Sequence, residues 1–198
     1  MSSFFYETIS NLPPFSLKEI CRYANAEPDK IPSFLEDYLK ETEGKFSYRV
    51  GGIRLPVDTN GNLCRIGPLS VRSNDLEKNL RGCKEAFLFA ATIGIEMDRM
   101  IARALPISPS KALWLQAIGT ERIEALCNAF CRKMAEAENK RLRPRFSPGY
   151  GDVPLDIQRD IFRVLDGIKL GICLNESLLM SPTKSVTAFI GIPDESNE

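Results

Sequence analysis

The chain contains no histidine among its 198 residues. Catalytic triads and dyads in which an imidazole acts as general base are therefore excluded, and so are metal sites that depend on histidine ligands. This single absence excludes more functions than any motif in the chain indicates.

Net charge and long apolar runs are absent as well. The chain has 26 basic and 26 acidic residues, so nothing indicates nucleic acid or an anionic membrane as a partner. The first ten residues, MSSFFYETIS, lack the basic and apolar regions of a signal peptide. No segment approaches the roughly 20 apolar residues that cross a bilayer. We expect a cytoplasmic protein.

Glycine-rich phosphate loops are also missing. Gly51-Gly52 lies in strand-like sequence, is not followed by a helix and lacks the G-x-G-x-x-G spacing, so a dinucleotide-binding fold is not expected. A lysine-containing Walker loop does not occur either.

The six cysteines contain no C-x-x-C pair. Cys127 and Cys131 are four residues apart on a predicted helix, which would place two thiolates on one face. Zinc would need two more ligands, and histidine is not available to supply them. We favour the interpretation that the cysteines are small buried hydrophobic residues in a reducing compartment.

Capping signals and apolar periodicity predict several helices. Ser16 with Glu19 forms a capping box, and Ser108-Pro109 starts a long helix that we expect to reach about residue 139. Gly119, inside that helix, indicates the close approach of another helix or, less often, of a ligand. Further helices are predicted over 30–43, 95–105 and about 155–166, the last with Ile157, Ile161 and Leu165 on its buried face.

Strand signals alternate irregularly with these helices. The stretch KFSYRVGGIRLPVDTNGNLCRIG at 45–67 predicts short strands and an Asn-Gly hairpin, and residues 85–94 predict a fully buried central strand. The tail from 169 predicts two strands around a proline-containing turn, with 194–198 as a frayed end. This mixed order favours one α+β domain over 1–198 rather than regular βαβ units.

One segment, RPRFSPGYGD at 143–152, is too rich in special residues for a plain connector. Proline and glycine hold an irregular backbone, and arginine recognises carboxylates and phosphates. The segment would bind an anionic or zwitterionic molecule through Arg145, with Tyr150 beside a ring. Alternatively, Arg145 pairs internally and Tyr150 only packs. Asp152 and Asp156 would pair with Arg143 or Arg145 or, as we prefer, cap the following helix.

Four ordered segments resemble the C-terminal activation domain of cobalamin-dependent methionine synthase. An Arg-x-x-x-Gly-Tyr motif falls on Arg145, Gly149 and Tyr150, and a Thr-Glu-Ser-like element falls on Asn175, Glu176 and Ser177. A Met-x-Pro and Ser-Val element follows over 180–186. FLFAATIG, an aspartate-containing helix and SPSKALWLQAIG resemble the middle of the family. The resemblance covers roughly 16–193.

The resemblance implies a C-shaped, mixed α+β fold with a mainly antiparallel sheet and a shallow site for S-adenosylmethionine. The site residues implied are Arg145, Ser147, Pro148, Gly149, Tyr150, Glu176, Ser177 and, as the nearest acidic candidate on the long helix, Glu124. Glu124 is alternatively an exposed helix residue, and a lone glutamate such as Glu176 is usually a surface residue.

The resemblance further implies a module that supports reductive remethylation of cobalamin and is not a complete enzyme alone. Cobalamin would be carried by a partner, a truncated methionine synthase or another corinoid protein, with a flavodoxin-like reductant. The sequence GDVPLDIQ after Tyr150 departs from the family. That departure favours an alternative: an interaction protein that docks on the corinoid or flavodoxin partner without binding the methyl donor. An independent methyltransferase is the least favoured hypothesis.

Overall fold

The computed structural model describes residues 4–9, 12–27 and 31–194. Within these ranges the strands are β1 (Phe4–Thr8), β2 (Arg49–Asn60), β3 (Leu63–Ile66), β4 (Leu69–Arg72), β5 (Cys83–Thr92), β6 (Cys173–Leu174), β7 (Met180–Ser181) and β8 (Ser185–Pro193). The helices are α1 (Leu17–Ala24), α2 (Leu35–Glu43), α3 (Asn74–Leu80), α4 (Glu96–Ala104), α5 (Pro109–Glu138), α6 (Gln158–Leu165) and α7 (Gly167–Leu170), and a 3-10 turn at Leu155–Ile157 precedes α6.

Six strands form one sheet in the order β4-β3-β2-β5-β8, with β1 paired to the first half of β2. Every strand pairing in the described ranges is antiparallel. β6 and β7 form a separate two-stranded hairpin. The predicted α+β class is confirmed, and so is the central position of the apolar strand, since β5 lies between β2 and β8.

The core lies on both faces of this sheet because the side chains of β5 alternate between them. Phe87 and Phe89 belong to the cluster on one face, whereas Leu88 and Ala90 belong to the cluster on the other. Helices α1, α2, α4 and α5 cover the first face, and α3, α6 and α7 cover the second. A strand covered on both faces needs a continuous apolar run, which explains EAFLFAATIG.

Helix α5 begins and ends where its sequence signals place it. The Ser108 side chain accepts a hydrogen bond from the Lys111 N–H, and Asn139 ends the helix with φ 51°. A Cβ added at Gly119 would lie 2.8 Å from Met97 Cγ of α4. The close approach predicted at Gly119 is therefore that of another helix, with the Lys184 side chain beside it. Within the described ranges, no helix has the length and hydropathy needed to span a membrane.

Gly51 and Gly52 accommodate aromatic rings from β1. A Cβ at Gly51 would lie 2.7 Å from the Tyr6 ring, and one at Gly52 would lie 2.6 Å from the Phe5 ring. These glycines therefore serve sheet packing, in line with the expectation that they form no nucleotide loop.

Two predicted elements differ from the structure. The helix predicted over 30–43 begins only at Leu35, and residue 30 lies outside the described residues. Ile31 precedes Pro32, and the residue before a proline is pushed out of the helical region. In the tail, the first predicted strand is reduced to the short β6–β7 hairpin. Of the predicted frayed end, only Asp194 is described.

Candidate functional site

The segment 147–150 forms a tight turn with the geometry of type II. The Tyr150 N–H donates to the Ser147 carbonyl at 3.1 Å, and Gly149 has φ 84°. Proline at the second position and glycine at the third are the residues that this turn requires. The Pro-Gly dipeptide therefore fixes the backbone that places Tyr150.

Asp152 anchors the end of this turn to a distant helix. Its carboxylate accepts from the Ser73 hydroxyl, from the Asn74 N–H at 2.7 Å and from the Asp75 N–H at 3.2 Å, at the start of α3. These hydrogen bonds, that from Ser73 first, lower the pKa of Asp152 to about 2. The prediction that Asp152 caps the following helix is wrong, because the loop folds back onto α3 instead. Asp156 lies exposed in the 3-10 turn, and neither that turn nor α6 has a side-chain cap.

Arg145 lies between the loop and helix α5, where it meets Glu124. Its Nη2 donates to Glu124 Oε2 at 2.8 Å, and the Arg145 side chain is 21% exposed against 39% for Glu124. Burial lowers the pKa of Arg145, but acidic groups nearby, with the Glu124 carboxylate among them, raise it by more. Its Nη1 is buried and has no partner among the described residues. One terminal nitrogen of the Arg145 guanidinium therefore makes no hydrogen bond to the described residues.

Arg145 lines a cavity of about 310 Å³, called here the Arg145 cavity. The cavity lies between α5, the 145–150 loop, the start of α6 and the β7–β8 segment. Its lining residues are Glu124, Arg145, Ser147, Pro148, Tyr150, Gln158, Met180, Ser185, Val186 and Thr187. An arginine and a glutamate on one wall suit a ligand that carries both charges.

The structure thus brings together five of the eight predicted site residues, Glu124 included. Gly149 shapes the turn but does not line the cavity. Glu176 and Ser177 lie exposed in the turn of the β6–β7 hairpin and are not lining residues either. There Leu178 N–H donates to the Asn175 carbonyl and closes the turn. The binding role of all eight residues stays a prediction.

Gln158 is a lining residue that the sequence did not single out. It is 5% exposed, and its Oε1 has no partner among the described residues. It precedes Ile161 by three residues and Leu165 by seven, so it shares the buried face of α6. A glutamine on an otherwise apolar helix face was the signal that would have identified it.

Arg143 and Tyr150 also border a larger surface hollow on the other side of the loop. This hollow has a volume of about 500 Å³, and Asp75 and Lys78 lie on its wall. Arg143 Nη2 donates to the Arg81 carbonyl at 2.9 Å. Tyr150 is 70% exposed and lines both spaces, so the alternative that it only packs is wrong. The other half of that alternative, an internal partner for Arg145, is met by Glu124.

The cysteines near the site are not metal ligands in this arrangement. Burial raises the pKa of Cys127 to about 12 and also raises the pKa of Cys131, so both are neutral thiols at physiological pH. Across the described ranges, all six cysteines are free and no group of three or more suitable side chains is placed to hold a metal.

A second arginine–glutamate pair lies one turn away on α5. Arg122 donates through Nε to Glu121 Oε2 at 2.5 Å, and its Nη1 and Nη2 donate to the carbonyls of Pro13 and Pro14. The Ser16 N–H donates to Glu121 Oε1, and the guanidinium lies 4.2 Å from the centre of the Phe15 ring. This pair holds the segment before α1 in place. The sequence did not indicate it, because adjacent charged residues on a helix normally face water.

Comparison with known proteins gives a structural match but no sequence match. No family model matches the chain, and no curated protein does. Among solved structures, the fold is similar to a crystal structure of the MetH reactivation domain bound to AdoHcy. The TM-score is 0.68 at 14% identity, over 99% of this chain and 80% of that one. The resemblance inferred from the sequence is therefore supported at the level of the fold.

Proposed function

We propose that the chain binds S-adenosylmethionine in the Arg145 cavity and acts as a reactivation module for cobalamin carried by a separate protein. The observation that carries the proposal is that Arg145, whose Nη1 is buried without a hydrogen-bond partner among the described residues, lines the cavity next to Glu124. The similar solved domain was crystallised with AdoHcy, the demethylated form of this ligand.

The charges of the cavity fit the charges of this ligand. S-adenosylmethionine carries a carboxylate, an ammonium and a sulfonium, and an arginine fork binds carboxylates strongly when it is partly desolvated. Arg145 Nη1 would donate to the carboxylate, while Glu124 would face a positive group. Because the two side chains already pair, neither charge is left uncompensated without ligand.

The volume available to the ligand includes hollows on both sides of Glu124. The Arg145 cavity is at the lower end of the range for small-molecule sites. Glu124 additionally borders a hollow of about 360 Å³ against α1, with Tyr23 and Ala125 on its wall. A ligand with a charged end and a nucleoside end would extend past Glu124 from one space to the other.

When bound, S-adenosylmethionine supplies an electrophilic methyl group. The chain's own residues would bind and orient the donor, and the exposed Tyr150 leaves the site open towards a partner. With no histidine in the chain, cobalt ligation through imidazole belongs to the partner, which would be a truncated methionine synthase or another corinoid protein. A flavodoxin-like protein would supply the electron.

Isothermal titration of the purified chain with S-adenosylmethionine tests the proposal. Arg145→Ala should weaken binding by roughly 10- to 100-fold, since hydrogen bonds to charged groups contribute about 1.5–3 kcal/mol. Arg141→Ala is the matched control, because it removes the same charge from an exposed position four residues away. Absence of saturable heat at millimolar ligand, or equal affinity in Arg145→Ala, would contradict donor binding.

The alternative is a docking protein that does not bind the methyl donor. Leu155 and Leu179 are exposed apolar residues on segments next to the cavity, and Tyr150 is exposed at its edge. Such side chains suit a protein partner. Saturable binding of a purified corinoid protein by a chain that gives no heat with S-adenosylmethionine would favour this function.

A further inference from the structure

We infer that Gln158 accepts a hydrogen bond from an amino group of the bound ligand and thereby determines which ligands the Arg145 cavity accepts. This inference rests on the proposed function and deepens it. Gln158 belongs to none of the sequence motifs that suggested the site. Only the fold places it at the cavity.

The position of the Gln158 side chain supports this inference. Gln158 is the first residue of α6, it is 5% exposed and it lines the cavity. Its Oε1 is buried without a partner among the described residues. Arg145, which lines the same cavity, likewise has a buried and unpaired Nη1. Two lining residues therefore each hold a polar atom without a partner, an acceptor in Gln158 and a donor in Arg145.

The unpaired amide oxygen of Gln158 carries a free-energy cost for folding. A buried carbonyl oxygen without a hydrogen bond destabilises the folded chain, whereas an apolar side chain of the same shape would not. The neighbours of Gln158 on this helix face, Ile161 and Leu165, are apolar and fully buried. An amide in this position is costly for folding alone, and a ligand that donates to it removes the cost.

The ligand must supply a hydrogen-bond donor to this oxygen. An amide oxygen accepts from N–H groups, and the ligand proposed above carries amino groups at two places: the α-amino group and the amino group of adenine. For the neutral amino group of adenine, Glu124 is the poorer candidate, because it is charged, more exposed and already paired with Arg145. The charged α-amino group would suit either side chain. The shared chemistry is an amino group, and the two sources can be separated experimentally.

The experiment uses the full chain with two variants, Gln158→Met, which keeps the length and removes the polar group, and Gln158→Glu, which keeps both length and acceptor oxygens. Thermal melting without ligand comes first. Gln158→Met should melt at the same temperature as the wild type or higher, because it removes a buried unpaired group. A clearly lower melting temperature would show that the amide has an internal role and would overturn the inference.

Titration with three ligands then identifies the donor. The ligands are S-adenosylhomocysteine, its analogue with oxygen in place of the adenine amino group, and its analogue with hydrogen in place of the α-amino group. Loss of the amino group that Gln158 binds should weaken wild-type binding by roughly three- to tenfold and leave Gln158→Met binding unchanged. Gln158→Glu, which still accepts, should retain discrimination between the same two ligands.

The outcomes separate this inference from the proposed function. Coupling of Gln158 to either amino group supports the inference and names the group. Normal S-adenosylhomocysteine binding that Arg145→Ala weakens, with no coupling to either amino group, overturns this inference alone. No binding by the wild-type chain overturns both.

Discussion

Two glutamates one turn apart on α5 each pair with an arginine, and the two pairs differ in what surrounds them. Glu121 and Arg122 are 5% and 4% exposed, and backbone groups of residues 13–16 complete their hydrogen bonds. Glu124 and Arg145 are joined by one hydrogen bond at the edge of a cavity, and Arg145 keeps a buried donor unpaired. The first is called here the closed pair and the second the open pair.

The difference shows how similar residues serve stability in one place and, under the proposed function, binding in another. The closed pair has enough local partners to offset the cost of burying two charges, so it holds a chain segment in place. The open pair is less buried and less satisfied, so it contributes little to folding and has a donor left for the ligand of the proposed function. Completeness of the hydrogen bonding, rather than residue type, distinguishes the two roles.

The largest effect is expected when the closed pair is broken. Arg122→Ala leaves the Glu121 carboxylate buried without a positive partner, and should lower the free energy of unfolding by about 3–5 kcal/mol. Urea denaturation measures this change. Arg145→Ala is the comparison and should cost no more than about 1 kcal/mol, since its glutamate is more exposed.

A double variant controls for the loss of side-chain volume. Glu121→Leu combined with Arg122→Met replaces the closed pair by apolar side chains and should be clearly more stable than Arg122→Ala alone. Equal losses in the double variant and the single one would mean that burial of an unpaired charge is not the cause.

A smaller effect is expected from changing the charge of the open pair. Glu124→Gln keeps a hydrogen-bond acceptor for Arg145 but removes the negative charge. It should weaken S-adenosylmethionine, which carries a sulfonium, several-fold more than S-adenosylhomocysteine, whose sulfur is neutral. Competition titration of the two ligands gives the ratio. An unchanged ratio would show that Glu124 does not face the sulfonium.

The smallest effect concerns the anchor of the open pair's loop. The folded-state pKa of Asp152, about 2, lies below its ordinary value of 3.8. Its stabilising contribution is therefore complete above about pH 4 and is lost as the pH falls through 2. Asp152→Asn should reduce the difference in stability between pH 5 and pH 2.5, as followed by thermal melting. The same difference in variant and wild type would contradict the anchoring role.

Local signals in the sequence were sufficient for most of the fold. The caps at Ser16 and Ser108 and the Asp166-Gly167 ending of α6 are properties of a few adjacent residues, so they could be read directly. The same holds for the Pro148-Gly149 turn. By contrast, α2 was predicted too long, because Pro32 was given too little weight.

The site was predictable only in part, because its contacts join distant segments. Arg145 and Glu124 are 21 residues apart, and Asp152 and Ser73 are 79 apart. No periodic pattern relates such positions. The family resemblance supplied Arg145 and Tyr150, but it also supplied Glu176 and Ser177, which lie on a hairpin turn and not among the cavity's lining residues. Gln158 could have been identified from the sequence, because it is the polar residue on an otherwise apolar helix face.

The segment that carries Arg145 also covers one edge of the sheet. β8 is the last strand of the sheet, and its outer edge bonds to this segment through Arg143 N–H to the Gly191 carbonyl and through mutual bonds between Phe146 and Phe189. Uncovered, an apolar edge strand such as TAFIGI would be a template for strand addition from other molecules. Changes to this loop therefore risk aggregation, and solubility limits how far the proposed ligand site can be altered.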